Sequence, residues 1–288
     1  MTSTYLERLG ARTRATGTVL CLGLDPDPGG LPPGFTRSLA DLERFASLLL
    51  EAAGPFAAAV KPNLAFFEAY GSGGMAALER LRAALPADLP VIADAKRGDI
   101  GSTAARQAVA LFDVLEADAV TVSPYLGAEA IAPLLERADR FAYVLCRTSN
   151  PGAGELQDLV LAGDAATGAT AERLHERVAR LATGWGPGAT VGLVVGATAP
   201  AELATIRAIA PGLPFLVPGV GAQGGAIEPV LQHGPATATP WAAVSGGGLL
   251  VNVSRGITGA ALDGGSGDPF ERVAAAAADW AARLPVLP

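Results

Sequence analysis

The stretch Pro90-Val-Ile-Ala-Asp-Ala-Lys96 is a short apolar run that ends in charged residues, and Arg97-Gly-Asp99 follows it directly. Seven further runs are apolar almost throughout, and segments with helical spacing of apolar residues separate them. Continuous rather than alternating apolar character is typical of strands buried on both faces of a parallel sheet. The eight predicted strands cover residues 19–25, 58–63, 90–96, 119–124, 143–149, 191–198, 214–220 and 249–255.

Strand–helix alternation repeated eight times predicts an α/β fold, the (β/α)8 TIM barrel. We expect a single domain over residues 1–288, with an N-terminal helix over about residues 3–15 before the first strand. The competing fold is a doubly wound open sheet, which usually has fewer strands and a glycine-rich first turn. The first strand here ends instead in Gly23-Leu-Asp-Pro-Asp-Pro28, which favours the barrel.

Composition excludes several classes of protein. The chain carries 21 Lys and Arg against 28 Asp and Glu, a net charge of −7, so we expect no broad basic surface and no nucleic-acid partner. No continuous apolar 20-mer or secretory signal is evident, so we expect no membrane partner. Two cysteines inside apolar runs fit a reducing compartment, and the cytoplasm is the expected location.

Charged residues gather where the third strand ends. In a TIM barrel the chemistry lies at the C-terminal ends of the strands. Asp94 and Lys96 are two residues apart and share one strand face. Lys61 ends the neighbouring strand and Asp99 follows the third, so we expect an alternating array of paired charges in a dry pocket. Flanking carboxylates would keep Lys96 protonated and able to give a proton to carbon. For any one of these residues a purely structural ion pair is the alternative.

A second cluster suggests a phosphate site. The glycine-rich run 218–225 after the seventh strand lets backbone N–H groups approach a ligand, although the glycines could serve only a tight turn. Gln223 can donate from its amide, and Arg255, expected at the end of strand eight, offers a bidentate fork. The Ala-, Pro- and Gly-rich segment 234–248 is a candidate for closing over the phosphate. Residues 152–168 are a candidate lid, being long for a strand–helix connection.

Two further strand ends carry polar residues. Asp25 could accept hydrogen bonds from sugar hydroxyls, and Ser149 could contact a base, although both positions also suit plain turns. No metal site is predicted, because neither His175 nor His233 lies at a strand end and both are expected at the surface. Two other functions stay open: a metal-dependent or Schiff-base sugar-phosphate lyase or aldolase, and a phosphate-ligand binder without catalysis.

Five motifs in sequence order resemble those of the orotidine 5'-phosphate decarboxylase family. Asp94-Ala-Lys-Arg-Gly-Asp-Ile100 is similar to the family signature D-x-K-x-x-D-I. The other four motifs also lie at predicted strand ends, and together they resemble the bacterial subgroup usually called type 2. They occupy residues 23–28, 61–68, 147–152 and 217–225, and the resemblance runs from about residue 20 to residue 257.

The resemblance implies an enzyme that converts orotidine 5'-monophosphate to uridine 5'-monophosphate in pyrimidine biosynthesis, without metal or organic cofactor. It implies that Lys96 protonates C6 of the pyrimidine. Asp94 would stand near the departing carboxyl group, and Lys61 would complete the array and contact the ribose. It further implies a homodimer, in which Asp99 and Thr103 reach the partner's site. The implied substrate contacts are Asp25 to ribose, Ser149 to the pyrimidine, and Pro218, Gln223 and Arg255 around the phosphate.

Overall fold

The computed structural model describes residues 3–163, 170–262 and 267–287, and its centre is a ring of eight parallel strands. The strands are β1 Leu20–Leu24, β2 Ala59–Pro62, β3 Ile92–Arg97, β4 Ala119–Val122, β5 Phe141–Arg147, β6 Val191–Val195, β7 Phe215–Pro218 and β8 Leu250–Val253. In ring order they run β2, β1, β8, β7, β6, β5, β4 and β3. Parallel bridges from Val60 to Val91 and from Asn63 to Asp94 join the two ends of this sheet. The predicted (β/α)8 barrel is therefore confirmed.

Helices surround the ring and cover its outer face. Several begin at side-chain caps: the Ser38 hydroxyl accepts from the Asp41 N–H, and Asp268 accepts from the Phe270 N–H. The α-helices are α1 Tyr5–Thr16, α2 Leu39–Ala53, α3 Ala65–Glu68, α4 Gly71–Ala84, α5 Gly101–Ala108, α6 Ala132–Leu135, α7 Gly154–Gln157, α8 Leu174–Ala182, α9 Pro200–Ile209, α10 Ile227–His233, α11 Arg255–Thr258 and α12 Pro269–Arg283. None of the helices in the described ranges combines the length and apolar character needed to cross a bilayer.

The core has two layers. The larger layer lies between the strands and the surrounding helices. The smaller layer fills the barrel interior, and helix α1 closes it from below. Tyr5 of α1 stacks on Phe141, packs beside Trp241 and shares a 3.0 Å hydrogen bond with the Tyr143 hydroxyl. The N-terminal end of the barrel is sealed in this way, and the C-terminal end lies opposite this seal.

The structure corrects one expectation about the connections and qualifies another. Residues 234–248 join α10 to β8, and Trp241 within them packs against Tyr5 at the closed end, so this segment lies far from any phosphate at the open end. The reason is topological, because helix-to-strand connections of a barrel run along its lower end. Of the candidate lid 152–168, residues 164–168 lie outside the described residues. The described part includes α7 and one strand, Val160–Leu161, of a two-stranded antiparallel ribbon with Glu172–Arg173.

The buried side chain of Arg207 hydrogen-bonds to several backbone carbonyls near the closed end of the barrel. Arg207 of α9 is 6% exposed, and its guanidinium lies 3.6 Å from the centre of the Phe215 ring. No carboxylate is paired with it in the described chain; instead it donates to a set of backbone carbonyls. These acceptors are the carbonyl oxygens of His233, Ala210, Pro211, Leu213 and Gly234, at 2.6–3.4 Å.

We expect Arg207→Met to lower the free energy of unfolding by about 3 kcal/mol, because it leaves buried carbonyls without donors. Urea unfolding followed by circular dichroism measures this change. The control is Arg80→Met, which removes an exposed ion pair with Glu43 and should leave the unfolding free energy nearly unchanged. Equal losses in the two variants would contradict a special role for Arg207.

Candidate active site

A cavity of about 440 Å³ opens at the C-terminal end of the barrel. Its charged floor comes from β2 and β3, and one wall is apolar. Polar side chains from the loops after β5 and β7 form the remaining wall. The lining residues are Lys61, Asp94, Lys96, Thr121, Leu145, Thr148, Ser149, Asn150, Gln157, Val194, Leu216, Pro218 and Gln223.

Asp94 joins two ammonium groups at the floor of this cavity. Its Oδ2 lies 2.6 Å from Lys61 Nζ, and its Oδ1 lies 2.6 Å from Lys96 Nζ. Burial by itself raises the pKa of the Asp94 carboxyl, but the two lysines overcome that effect and hold the pKa well below its usual range. Lys61 and Lys96 are the only lysines in the sequence, and both form ion pairs with this one carboxylate.

Lys61 is buried, yet it stays charged. Desolvation favours its neutral form, but Asp94 and then Asp25 outweigh this, so the pKa of Lys61 is raised above its ordinary value. Asp25 follows β1, and its buried Oδ1 has no hydrogen-bond partner in the described chain. An unpaired carboxylate oxygen beside an ammonium is ready to accept a hydrogen bond from a ligand hydroxyl.

Lys96 differs from expectation in two respects. Its side chain is 51% exposed, so in the isolated chain it does not lie in a dry pocket. Its backbone has φ of 47°, in the left-handed region that non-glycine residues rarely adopt, so Asp94 and Lys96 do not simply share one face of a regular strand. The Thr121 hydroxyl contacts this distorted backbone and Asp94 together. Sequence reasoning missed Thr121, because one threonine in a buried strand gives no periodic signal.

Asp99 and Thr103 are not part of the charged array within one chain. The Asp99 carboxylate accepts from the Ile100 N–H at 2.7 Å, and Thr103 lies on the exposed first turn of α5. Neither residue lines the cavity. Between them, the Ile100 side chain is 61% exposed, and Tyr125 after β4 is 76% exposed. The array seen in one chain is therefore Lys61, Asp94 and Lys96.

The loop after β7 folds back on itself through glycines. Gly219 has φ of 103°, and its carbonyl accepts from the Gly225 N–H at 3.0 Å. A Cβ on Gly219 would lie 3.0 Å from Ser149 Cβ and 3.2 Å from Gln223 Oε1. Glycine at this position thus lets Ser149 and Gln223 both approach the loop backbone closely, and both side chains line the cavity together with Pro218.

The structure places Arg255 differently from the sequence prediction. Strand β8 ends at Val253, and Arg255 is the first residue of the short helix α11. Its side chain is exposed, and no hydrogen bond or ion pair joins it to the rest of the described chain. Trp280 of α12 packs against the loop after β7 and against the residue that follows Arg255: a Cβ on Gly221 or Gly256 would lie within 2.9 Å of its ring, and its Nε1 donates to the Gly256 carbonyl. No local sequence pattern predicts these contacts of Trp280.

The end of β5 is held by residues that sequence reasoning also missed. Gln157 of α7 accepts from the Thr148 N–H at 2.8 Å and donates to the Thr148 hydroxyl at 2.9 Å. The Gln157 carbonyl lies 2.9 Å from His175 Nδ1, and Asp158 lies 3.2 Å from the same nitrogen. His175 is 1% exposed, so the prediction that it lies at the surface is wrong. The His175 ring therefore holds α7 in place, and Gln157 of α7 in turn holds Thr148 in the cavity wall.

The comparisons with known proteins agree with this geometry. A family model described as "Orotidine 5'-phosphate decarboxylase / HUMPS family" matches residues 18–266. The chain belongs to this family. An orotidine 5'-phosphate decarboxylase of Halorubrum lacusprofundi is 48% identical over 283 residues, covering 97% of this chain and 96% of that protein. One of Herpetosiphon aurantiacus is 44% identical over 254 residues, 88% of each chain.

A solved structure shows the same similarity in three dimensions. The OMP decarboxylase of Leishmania donovani superposes with a TM-score of 0.80 at 38% identity, and 97% of each chain is covered. The family resemblance drawn from the five motifs is therefore confirmed, while the type 2 subgroup stays a prediction. Across residues 3–163, 170–262 and 267–287, no three His, Cys, Asp or Glu side chains are grouped so that they could hold a metal ion.

We expect Asp94→Asn to lower the free energy of unfolding at neutral pH by about 3 kcal/mol, because it leaves Lys61 buried without its anion. The native pKa of Asp94 is depressed, so its stabilising effect is complete above the pKa of the unfolded carboxyl and is lost in acid. The difference between wild type and variant should stay constant from about pH 7 to pH 5 and shrink below about pH 4. Urea unfolding across this pH range checks it; a difference that grows in acid would contradict the pairing.

Proposed function

We propose that this chain decarboxylates orotidine 5'-monophosphate to uridine 5'-monophosphate, the reaction that names its curated relatives. The observation that carries the proposal is the Lys61–Asp94–Lys96 triad on the floor of a cavity with an apolar wall. The cavity volume of about 440 Å³ suits a ligand of nucleotide size.

The chemistry follows from where the charges lie. Cleavage of the bond between C6 and the carboxyl carbon leaves the electron pair on C6 and releases neutral carbon dioxide. The Lys96 ammonium stabilises the developing negative charge and then transfers its proton to C6. Asp94 holds Lys96 and presents a negative charge to the substrate carboxylate. Water then reprotonates Lys96. Leu145, Val194 and Leu216 give the leaving carbon dioxide an apolar wall.

Residues that line the cavity and two that lie outside its lining, Asp25 and Arg255, hold the nucleotide. We assign Ser149 to the pyrimidine, and Asp25 with Lys61 to the ribose hydroxyls. Gln223, the backbone around Pro218 and the Arg255 guanidinium, which has no partner within the described residues, are assigned to the phosphate. The phosphate is remote from C6, so its binding energy can order the loops and the charges at the reacting carbon.

The proposal includes a homodimer in which Asp99 and Thr103 enter the partner's site. Its support is that neither residue reaches the array of its own chain, while Ile100, which lies between them in the sequence, and Tyr125 after β4 are large apolar side chains left exposed. A partner over this surface would also cover the half-exposed Lys96. A single domain over residues 1–288 and a cytoplasmic location complete the proposal.

The decisive experiment mixes purified protein with orotidine 5'-monophosphate and follows the ultraviolet absorbance change. We expect turnover with and without a chelator, and no adduct trapped by borohydride. Activity lost to the chelator, or a trapped imine, would favour the lyase or aldolase alternative. Tight nucleotide binding without product would favour a binder.

Lys96→Ala should lower kcat/KM at least about a thousand-fold, because it removes both the stabilising charge and the proton donor. The matched control is Arg14→Ala, which removes an exposed cation from helix α1 at the closed end of the barrel. Initial rates and circular dichroism should show an inactive but folded Lys96 variant and a fully active control. Substantial activity in Lys96→Ala would remove the assigned role.

The dimer is tested by mixing two inactive variants. If Asp99 acts in the partner's site, a hybrid of Lys96→Ala and Asp99→Ala subunits contains one site with both residues intact. Random exchange of subunits should then restore about a quarter of wild-type activity, since half of the dimers are hybrids and each has one intact site of two. Activity assays after mixing, with sizing by light scattering, measure this. Inactive mixtures that do exchange subunits would contradict action across the interface.

A further inference from the structure

The hydroxyl of Thr121 is fully used and has a fixed direction. Thr121 is 2% exposed and lies in β4, next to β3 in the barrel. Its Oγ1 lies 3.1 Å from the Ala95 nitrogen, 3.0 Å from the Lys96 nitrogen and 2.9 Å from Asp94 Oδ1. Two backbone N–H groups can only donate, so the hydroxyl accepts from both and gives its one proton to Asp94.

The same hydroxyl replaces hydrogen bonds that the sheet cannot make. Ala93 pairs with Val120, but the next register pair is Arg97 with Val122, so residues 94–96 all lie opposite Thr121. The strand bulges there, and Lys96 adopts its left-handed φ of 47°. A non-glycine residue holds such a conformation only where the surroundings enforce it. Thr121 supplies that constraint from a neighbouring strand of the rigid barrel.

Thr121 also orients the carboxylate that lies between the two lysines. Asp94 Oδ1 accepts from both Thr121 and Lys96 Nζ, while Oδ2 accepts from Lys61 Nζ. The Thr121 hydroxyl therefore fixes both the Lys96 backbone and the Asp94 carboxylate that pairs with the Lys96 ammonium.

We propose that Thr121 is a positioning residue that holds the Lys96 ammonium in the geometry needed for proton transfer to the substrate. This inference rests on the proposed function of Lys96. Without the hydroxyl, the N–H groups of residues 95 and 96 lose their acceptor, and the bulge can relax toward a regular strand. Lys96 would then leave its place beside Asp94, while the residues assigned to the phosphate and the pyrimidine keep theirs.

The test compares two substitutions at position 121. Thr121→Val keeps the shape and removes the hydroxyl, so we expect kcat to fall about 100-fold with KM within about three-fold of wild type. Thr121→Ser restores the oxygen and should recover kcat to within about five-fold of wild type. The control is Thr190→Val, the same change at another buried threonine whose hydroxyl has no hydrogen-bond partner in the described chain; its kcat should not change.

A second readout does not depend on turnover. The chain has only two lysines, so selective carbon-13 labelling of lysine gives two side-chain signals in an NMR spectrum. In Thr121→Val the Lys96 signal should move toward the position of free lysine, while the Lys61 signal stays in place. Calorimetry with uridine 5'-monophosphate should give a dissociation constant within about three-fold of wild type, as expected of a site that is otherwise intact.

Three results would overturn the inference: wild-type kcat in Thr121→Val, equal losses in the valine and serine variants, or an unmoved Lys96 signal. A wild-type protein that does not decarboxylate orotidine 5'-monophosphate would instead reject the proposed function. The NMR comparison would still decide whether Thr121 positions Lys96.

Discussion

The site depends on one carboxylate held between two ammonium groups. Burial alone would raise the pKa of Asp94, but the two lysines, each at 2.6 Å, hold that pKa well below its usual range, so the carboxylate stays charged. Every other strong base in the chain is arginine, and arginine makes the ion pairs on the outside of the fold. Lysine is the suitable residue in the cavity, because a compact ammonium can give up its proton whereas a guanidinium cannot.

The fold supplies the rigidity that this arrangement needs. One end of the barrel is sealed by α1 and by the aromatic cluster around Tyr5, and the opposite end carries the charges and the open loops. Three residues support the charged site: Thr121 constrains the backbone at Lys96, Gln157 holds the end of β5, and Trp280 packs beneath two glycine positions. Each support comes from a different element, so the geometry is a property of the whole barrel.

In a single chain, the side of the cavity that carries Lys96 is open to solvent. Lys96 is half-exposed, and the apolar side chains of Ile100 and Tyr125 are exposed in the loops after β3 and β4. A proton donor surrounded by water would share its charge with the solvent, and electrostatic stabilisation is strongest where water is excluded. These features support the proposed dimer, in which a second copy covers this face and adds Asp99.

The eight strands, the charges at the end of β3 and the glycine loop after β7 were predictable from the sequence, because continuous apolar runs and strand-end motifs are local signals. The folded barrel was needed to find the bulge at Lys96, the burial of His175 and the start of a helix at Arg255. It also decided the contacts of Thr121, Gln157 and Trp280. These features depend on hydrogen bonds and packing between residues far apart in the chain, and no local pattern specifies which strand or helix becomes the neighbour.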